Sequence, residues 1–202
     1  MKRHSGIALL LLLSFACRNG EHANHETTAP PQTSTTTTTG ATMTATNAAA
    51  PYDLQFLDTM THHHQGAIDM VKAAQGRFGH KELADTGEKI VADQQQEIAQ
   101  MKTWRDQWYP GAPPAVNMDM PGMAEGMNMD MSHMTHLSGN ALDVMFLDMM
   151  KPHHQGALAM AEDALAKAEH PEIKQLARAI IDAQAREIEQ FNAWRKAWAA
   201  GK

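Results

Sequence analysis

The chain has 202 residues, a formal charge of −6, a single cysteine and 16 methionines. The acidic balance excludes a nucleic-acid partner held by phosphate neutralisation and favours cations, which an acidic surface concentrates. One cysteine allows no intrachain disulfide.

Lys2 and Arg3 precede an apolar run over residues 7–13 that is too short to anchor across a bilayer. Residues 1–17 therefore read as an export signal. Its end, Leu-Ser-Phe-Ala-Cys, resembles a bacterial lipoprotein cleavage site, with Ser14 where leucine is usual. Cys17 is the expected lipidation site, and lipid the only expected tie to a membrane. An ordinary secretory signal cleaved nearby is the alternative. Both place the mature protein in the periplasm or cell envelope of a bacterium. Residues 18–50 are rich in Thr, Ala, Pro and Asn, with unbroken threonine over 35–39. They hold too few large apolar groups for a core and are predicted to be a disordered tether.

Two helices follow. Phe56, Met60, His63, Ala67, Met70 and Ala74 recur at spacings of four and three, one face of a helix. Gly76, Gly79 and His80 end it. The next helix runs over 82–108 with Leu83, Ile90, Gln94, Glu97, Met101, Trp104 and Trp108 near one stripe, and Tyr109-Pro110-Gly111 closes it.

A connection over 110–140 carries Met118, Met120, Met123, Met127, Met129, Met131 and Met134 beside His133 and His136. Their neighbours are Asn, Asp, Gly, Pro and Ser, so no amphipathic stripe explains them. Flexible thioethers suit a soft, low-coordinate ion, Cu(I) or its analogue Ag(I). The alternative is a Met-rich loop docked over the rest of the protein, where methionine fills apolar gaps.

Residues 143–199 then repeat 53–109 without a gap, at a constant offset of 90. Phe146, Met150, His153, His154, Gly156 and Met160 fall on Phe56, Met60, His63, His64, Gly66 and Met70; Gln184, Glu187 and Trp194 fall on Gln94, Glu97 and Trp104. Pro152 stands where the first copy has His62, so the third helix either kinks before His153 or begins there. A single helix pair cannot bury its apolar stripe, whereas two can. The expected architecture is all-α: one four-helix bundle over 51–202 built from two tandem helix hairpins.

Because polar as well as apolar positions repeat, the histidines read as working residues. Met60, His63 and His64 share a local helix surface and Met70 lies two turns along it. A site is expected from Met60, His63 or His64, and Met70, with its twin at Met150, His153, His154 and Met160. Neutral imidazole suits both copper oxidation states and zinc. Gln94, Glu97, Gln184 and Glu187 on the partner helices could fix the ring tautomers or serve only as buried polar partners. His80 and His170 lie in turns, Asp58 and Asp148 read as solvated surface, and the four tryptophans read as core anchors at the bundle end. No Glu-x-x-His motif of a di-iron bundle occurs, no phosphate loop, no Ser/His/Asp grouping, and no cysteine placed for a blue-copper site.

By these residues the chain resembles the bacterial family called domain of unknown function 305. That family's F-L-x-x-M-x-x-H-H-x-G-A-x-x-M helix and I-x-x-x-Q-x-x-E-I-x-x-M-x-x-W helix occur in full in the first copy; in the second, Phe191 replaces the methionine. The resemblance implies a ferritin-like four-helix bundle, and it implies copper binding outside the cytoplasm, since some members are periplasmic copper-binding proteins linked to copper resistance. It makes Met60, His63, His64, Met70, Met150, His153, His154 and Met160 ligand candidates. The expected function is sequestration or transfer of Cu(I), with Zn or Cu(II) as other candidate ions. The expected partners are metal ions and a copper-exporting or copper-accepting envelope protein, and no enzymatic step is required. A metal-dependent redox enzyme and a metal-free structural module remain the alternatives.

Overall fold

The computed structural model describes residues 49–127 and 130–199. The leader with Cys17, nearly all of the tether, and Met129 lie outside the described residues.

Among the described residues five α-helices form: α1 (Tyr52–Ala74), α2 (Lys81–Trp108), α3 (Met123–Met127), α4 (Gly139–Lys167) and α5 (Pro171–Ala199), with a 3-10 turn, Met131–His136, between α3 and α4. The long helices are those the periodicity predicts. The connection differs from expectation, because it is not a bare loop: α3 and the 3-10 turn both pack on the bundle. Among the described residues no helix is long and apolar enough to cross a membrane.

Each repeat is a hairpin, α1 on α2 and α4 on α5, and the hairpins join through α1 against α4. The four inner stripes close into two apolar clusters. One holds Phe56, Met60, Met101, Met120, Met123 and Met160. The other holds Met70, Met134, Phe146, Met150 and Phe191. α4 continues through Pro152, so the alternative in which a helix begins there does not hold. The proline leaves the Asp148 carbonyl without its usual helical donor.

The repeats also cap one another. Neither His80 nor His170 caps its helix with its own ring. Instead Asp143, on α4, accepts from the backbone N–H of Gly79 and His80, both at 2.9 Å, and from His80 Nδ1 at 2.6 Å. Asp53, on α1, does the same for Glu169 (3.0 Å), His170 (2.9 Å) and His170 Nδ1 (2.6 Å). A carboxylate thus sits at the positive N-terminal end of α2 and of α5, where the helix dipole favours it. The capped rings stack on tryptophan, His80 on Trp198 at 3.9 Å and His170 on Trp108 at 3.8 Å. The tryptophans are half-buried, packed against the two core clusters at the bundle ends as expected, and Trp108 and Trp198 also serve as platforms for the histidine rings. Asp58 is not surface, being mostly buried and bound to Arg105 at 2.6 Å, whereas Asp148 is exposed as expected and pairs with Arg195 at 2.7 Å.

Candidate metal centre

At the crossing of α1 and α4 the two histidine pairs meet. The rings of His63 and His153 lie 3.8 Å apart between centroids. All four imidazoles, with Met60, Met70, Met150 and Met160, are fully buried. His153 Nε2 donates to the His63 carbonyl at 3.1 Å. The outer rings point the other way: His64 Nε2 meets Glu97 Oε2, and His154 Nε2 meets Glu187 Oε2, both at 2.7 Å. An ionised carboxylate only accepts, so in the neutral ring the proton sits on Nε2 and the lone pair on Nδ1.

The bookkeeping of these rings is unusual. His63 Nδ1 and Nε2, and the Nδ1 atoms of His64, His153 and His154, are buried without any hydrogen-bond partner. An orphaned buried polar group costs about 1–3 kcal/mol, and such groups are rare enough to need a reason. Gathered at one helix crossing, these five nitrogens offer four lone pairs, one from each neutral ring, and one unpaired His63 N–H. Burial first, and then the neighbouring histidines, hold His63 far below the ordinary imidazole range, and the same causes push His153 down to about 3. Both rings are therefore neutral at physiological pH, the form that coordinates a metal. Among the described residues no three His, Cys, Asp or Glu side chains are grouped to hold an ion. A site here has to draw on thioether sulfur as well.

Sulfur arrives from the connection. α3 crosses the histidines on glycines: a Cβ at Gly126 would lie 2.2 Å from His63 Nε2, and one at Gly156 would lie 2.3 Å from the Gly122 carbonyl oxygen. Gly122 itself has φ +81°, which favours glycine. Above Gly66, the Met127 sulfur and His153 Nε2 both lie 3.2 Å from the point a Cβ would occupy. Gly156→Ala is expected to lower stability by about 1–3 kcal/mol, because the methyl meets backbone that cannot step aside. Urea unfolding measures this, and an unchanged midpoint would mean that α3 is not seated on α4.

The structure regroups the expected donors. Met60 and Met70 do not share a cluster; Met60 lies with Met160, Met101, Met120 and Met123, and Met70 lies with Met150 and Met134. Each group therefore crosses the repeats, with the His63–His153 pair between. Met120, Met123 and Met134 are buried, whereas Met118 and Met131 are exposed, as are His133, His136 and His62. The docked-loop alternative thus accounts for part of the connection. Gln94 and Gln184 are buried beside the glutamates, around a cavity of about 20 Å³ between α2 and α5. Sequence reasoning missed Asp53 and Asp143 as partners of the turn histidines, although their repetition at offset 90 was a visible signal. It also missed the seating of Gly126 on His63, for which no local signal exists.

Comparison with known proteins agrees with this fold. The family profile Domain of unknown function (DUF305) matches residues 14–105 and again 53–195. The structure of CopM in its Cu(II)-bound form is 37% identical, with TM-score 0.63 over 72% of this chain and 97% of that one. CopM in its Cu(I)-bound form gives 35% identity and TM-score 0.61, over 72% and 96%. A DUF305 protein from Streptomyces coelicolor gives 28% identity and TM-score 0.64, over 73% and 92%. CopM has also been solved with silver bound. No curated protein matches the chain.

Proposed function

The chain belongs to the DUF305 family, and from that premise we propose that it binds Cu(I) outside the cytoplasm, to sequester the ion or hand it on. The observation that carries the reading is the set of five partnerless imidazole nitrogens buried at the α1–α4 crossing. Neutral nitrogen and thioether donors suit a soft ion. A monovalent ion costs less to bury than a divalent one, and the Glu97 and Glu187 carboxylates supply opposite charge one ring away. The ligands proposed for the bundle are His63, His64, His153 and His154 with Met60, Met70, Met150 and Met160. Glu97 and Glu187 hold the outer rings, and Gln94 and Gln184, whose Oε1 atoms are buried without a partner beside them, are the further residues of that second layer. The connection contributes Met127 from above, and its exposed Met118, Met131, His133 and His136 serve capture. CopM, with its copper-bound and silver-bound structures, supports the choice of ion. The leader motif supports export and lipidation at Cys17. Holding and releasing the ion requires no bond-making step, so the reading is a binding protein.

Equilibrium dialysis of the metal-free protein against micromolar Cu(I), Ag(I) and Zn(II) tests it. Retention of Cu(I) and Ag(I) in preference to Zn(II) is expected. Failure to retain either soft ion would leave only a packing role for the histidines.

A further inference from the structure

The two repeats differ where the connection meets them. In repeat one, Asn117 seals the outer face of α1: its backbone N–H donates to Thr59 Oγ1 at 2.9 Å, and its side chain donates to Gln55 Oε1 at 2.7 Å. The equivalent positions on α4 are Met149 and Met145. Among the described residues no such seal covers them. Both are half-buried and border an open groove of about 770 Å³ between α4 and the connection. Its other lining residues include Glu125, Asp130, His133 and Pro152.

Three features of this groove converge. First, the repeat replaces two hydrogen-bonding residues by two thioethers four residues apart, so both sulfurs occupy one face of α4. Continuing that spacing, Met145, Met149 and His153 form one line along the helix, running from the groove to the buried ring. Second, the opposite wall carries the exposed imidazole of His133, a nitrogen donor of the same borderline class as the buried rings. Asp130 lies 3.8 Å from that ring, and Glu125 adds a second carboxylate to the rim. These charges favour cations near the mouth. Third, the groove ends beside both inner histidines: Pro152 precedes His153, and Glu125 precedes Gly126, which lies against His63 Nε2.

We propose that this groove is a second, solvent-open site for Cu(I) or Ag(I), held by Met145, Met149 and His133, and that it is the route by which the ion reaches the buried pair. The inference rests on the copper-binding reading above and adds a distinct site to it. It also makes the loading path one-sided: the repeat-two face is open, and the repeat-one face is closed by Asn117.

Ag(I) titration of the full chain by calorimetry, with stopped-flow loading alongside, tests it. Leucine is close to methionine in volume and lacks the donor sulfur, so Met145→Leu with Met149→Leu should preserve packing. The double variant is expected to lose one Ag(I) equivalent and to load the remaining ones more slowly. Met145→Gln with Met149→Thr, which installs the residues of repeat one, should behave alike and guards against a leucine-specific packing effect. Wild-type stoichiometry and loading rate in both variants would overturn the groove while leaving the buried site intact. Absence of Ag(I) binding in the wild type would instead overturn the copper-binding reading itself.

Discussion

Acidification is expected to destabilise the metal-free protein steeply below about pH 6.5, and His63→Leu with His153→Leu to remove most of that effect. The ordinary imidazole pKa is near 6.5. In the folded protein both rings are held below it, His153 at about 3. Above pH 6.5 neither state takes up a proton and these groups contribute no pH dependence. Below it the unfolded chain is protonated while the folded chain is not, so stability falls as pH falls. The loss amounts to about 1.4 kcal/mol per pH unit for each ring, or roughly 2–3 kcal/mol for the pair. For His153 the window runs from about 6.5 down to about 3. The double leucine variant removes three orphaned nitrogens, His63 Nδ1, His63 Nε2 and His153 Nδ1. At pH 7 its metal-free form should be at least as stable as the wild type, by about 1–3 kcal/mol. It should also lose the stabilisation that Cu(I) gives the wild type, about 3–4 kcal/mol at a hundred- to thousand-fold excess over Kd. Urea midpoints at pH 7, 6 and 5, with and without Cu(I), measure all three. A wild-type midpoint that stays flat between pH 7 and 5 would show that the rings are not buried neutral.

Removal of either cross-repeat carboxylate is expected to cost about 3–5 kcal/mol, because each is a buried acceptor for two backbone donors and a ring nitrogen, and a hydrogen bond to a charged group contributes about 1.5–3 kcal/mol. Asp143 is fully buried and Asp53 nearly so. Each satisfies backbone donors of the opposite hairpin and a ring nitrogen at once. Asp143→Ala strands the Gly79 and His80 N–H groups at the start of α2, and Asp53→Ala strands their counterparts before α5. Both variants remove the anion from a helix N-terminus and release a ring from its tryptophan. Urea denaturation reads the loss, and the exposed Lys81–Asp85 pair is the control, because an ion pair in solvent contributes little. A loss no larger than the control's would mean that the hairpins are joined by apolar packing alone.

Much of this architecture was legible in the residues. Spacings of three and four located the long helices, and the exact repeat of polar positions announced two docked hairpins. The His64–Glu97 and His154–Glu187 contacts were within reach, because Glu97 and Glu187 lie on the inner stripes facing the histidine helices. Other features depend on how the hairpins cross, which local pattern does not encode. Met60 and Met70 share one stripe of α1, yet antiparallel packing of α1 on α4 brings Met60 to Met160 and Met70 to Met150. The Met-rich connection reads as polar low complexity. Only the glycine seats at 66, 122, 126 and 156 reveal that it folds down, burying Met120, Met123 and Met134 and bringing Met127 beside His153. Gly66 and Gly156 could be seen in the repeat, but their partner glycines could not.

X-ray absorption at the copper edge of the Cu(I)-loaded protein tests the central claim most directly. Mixed sulfur and imidazole-nitrogen scattering is predicted, with the nitrogen contribution reduced in the His63→Leu, His153→Leu variant. A spectrum of oxygen neighbours alone, or one unchanged by removing both rings, would contradict it.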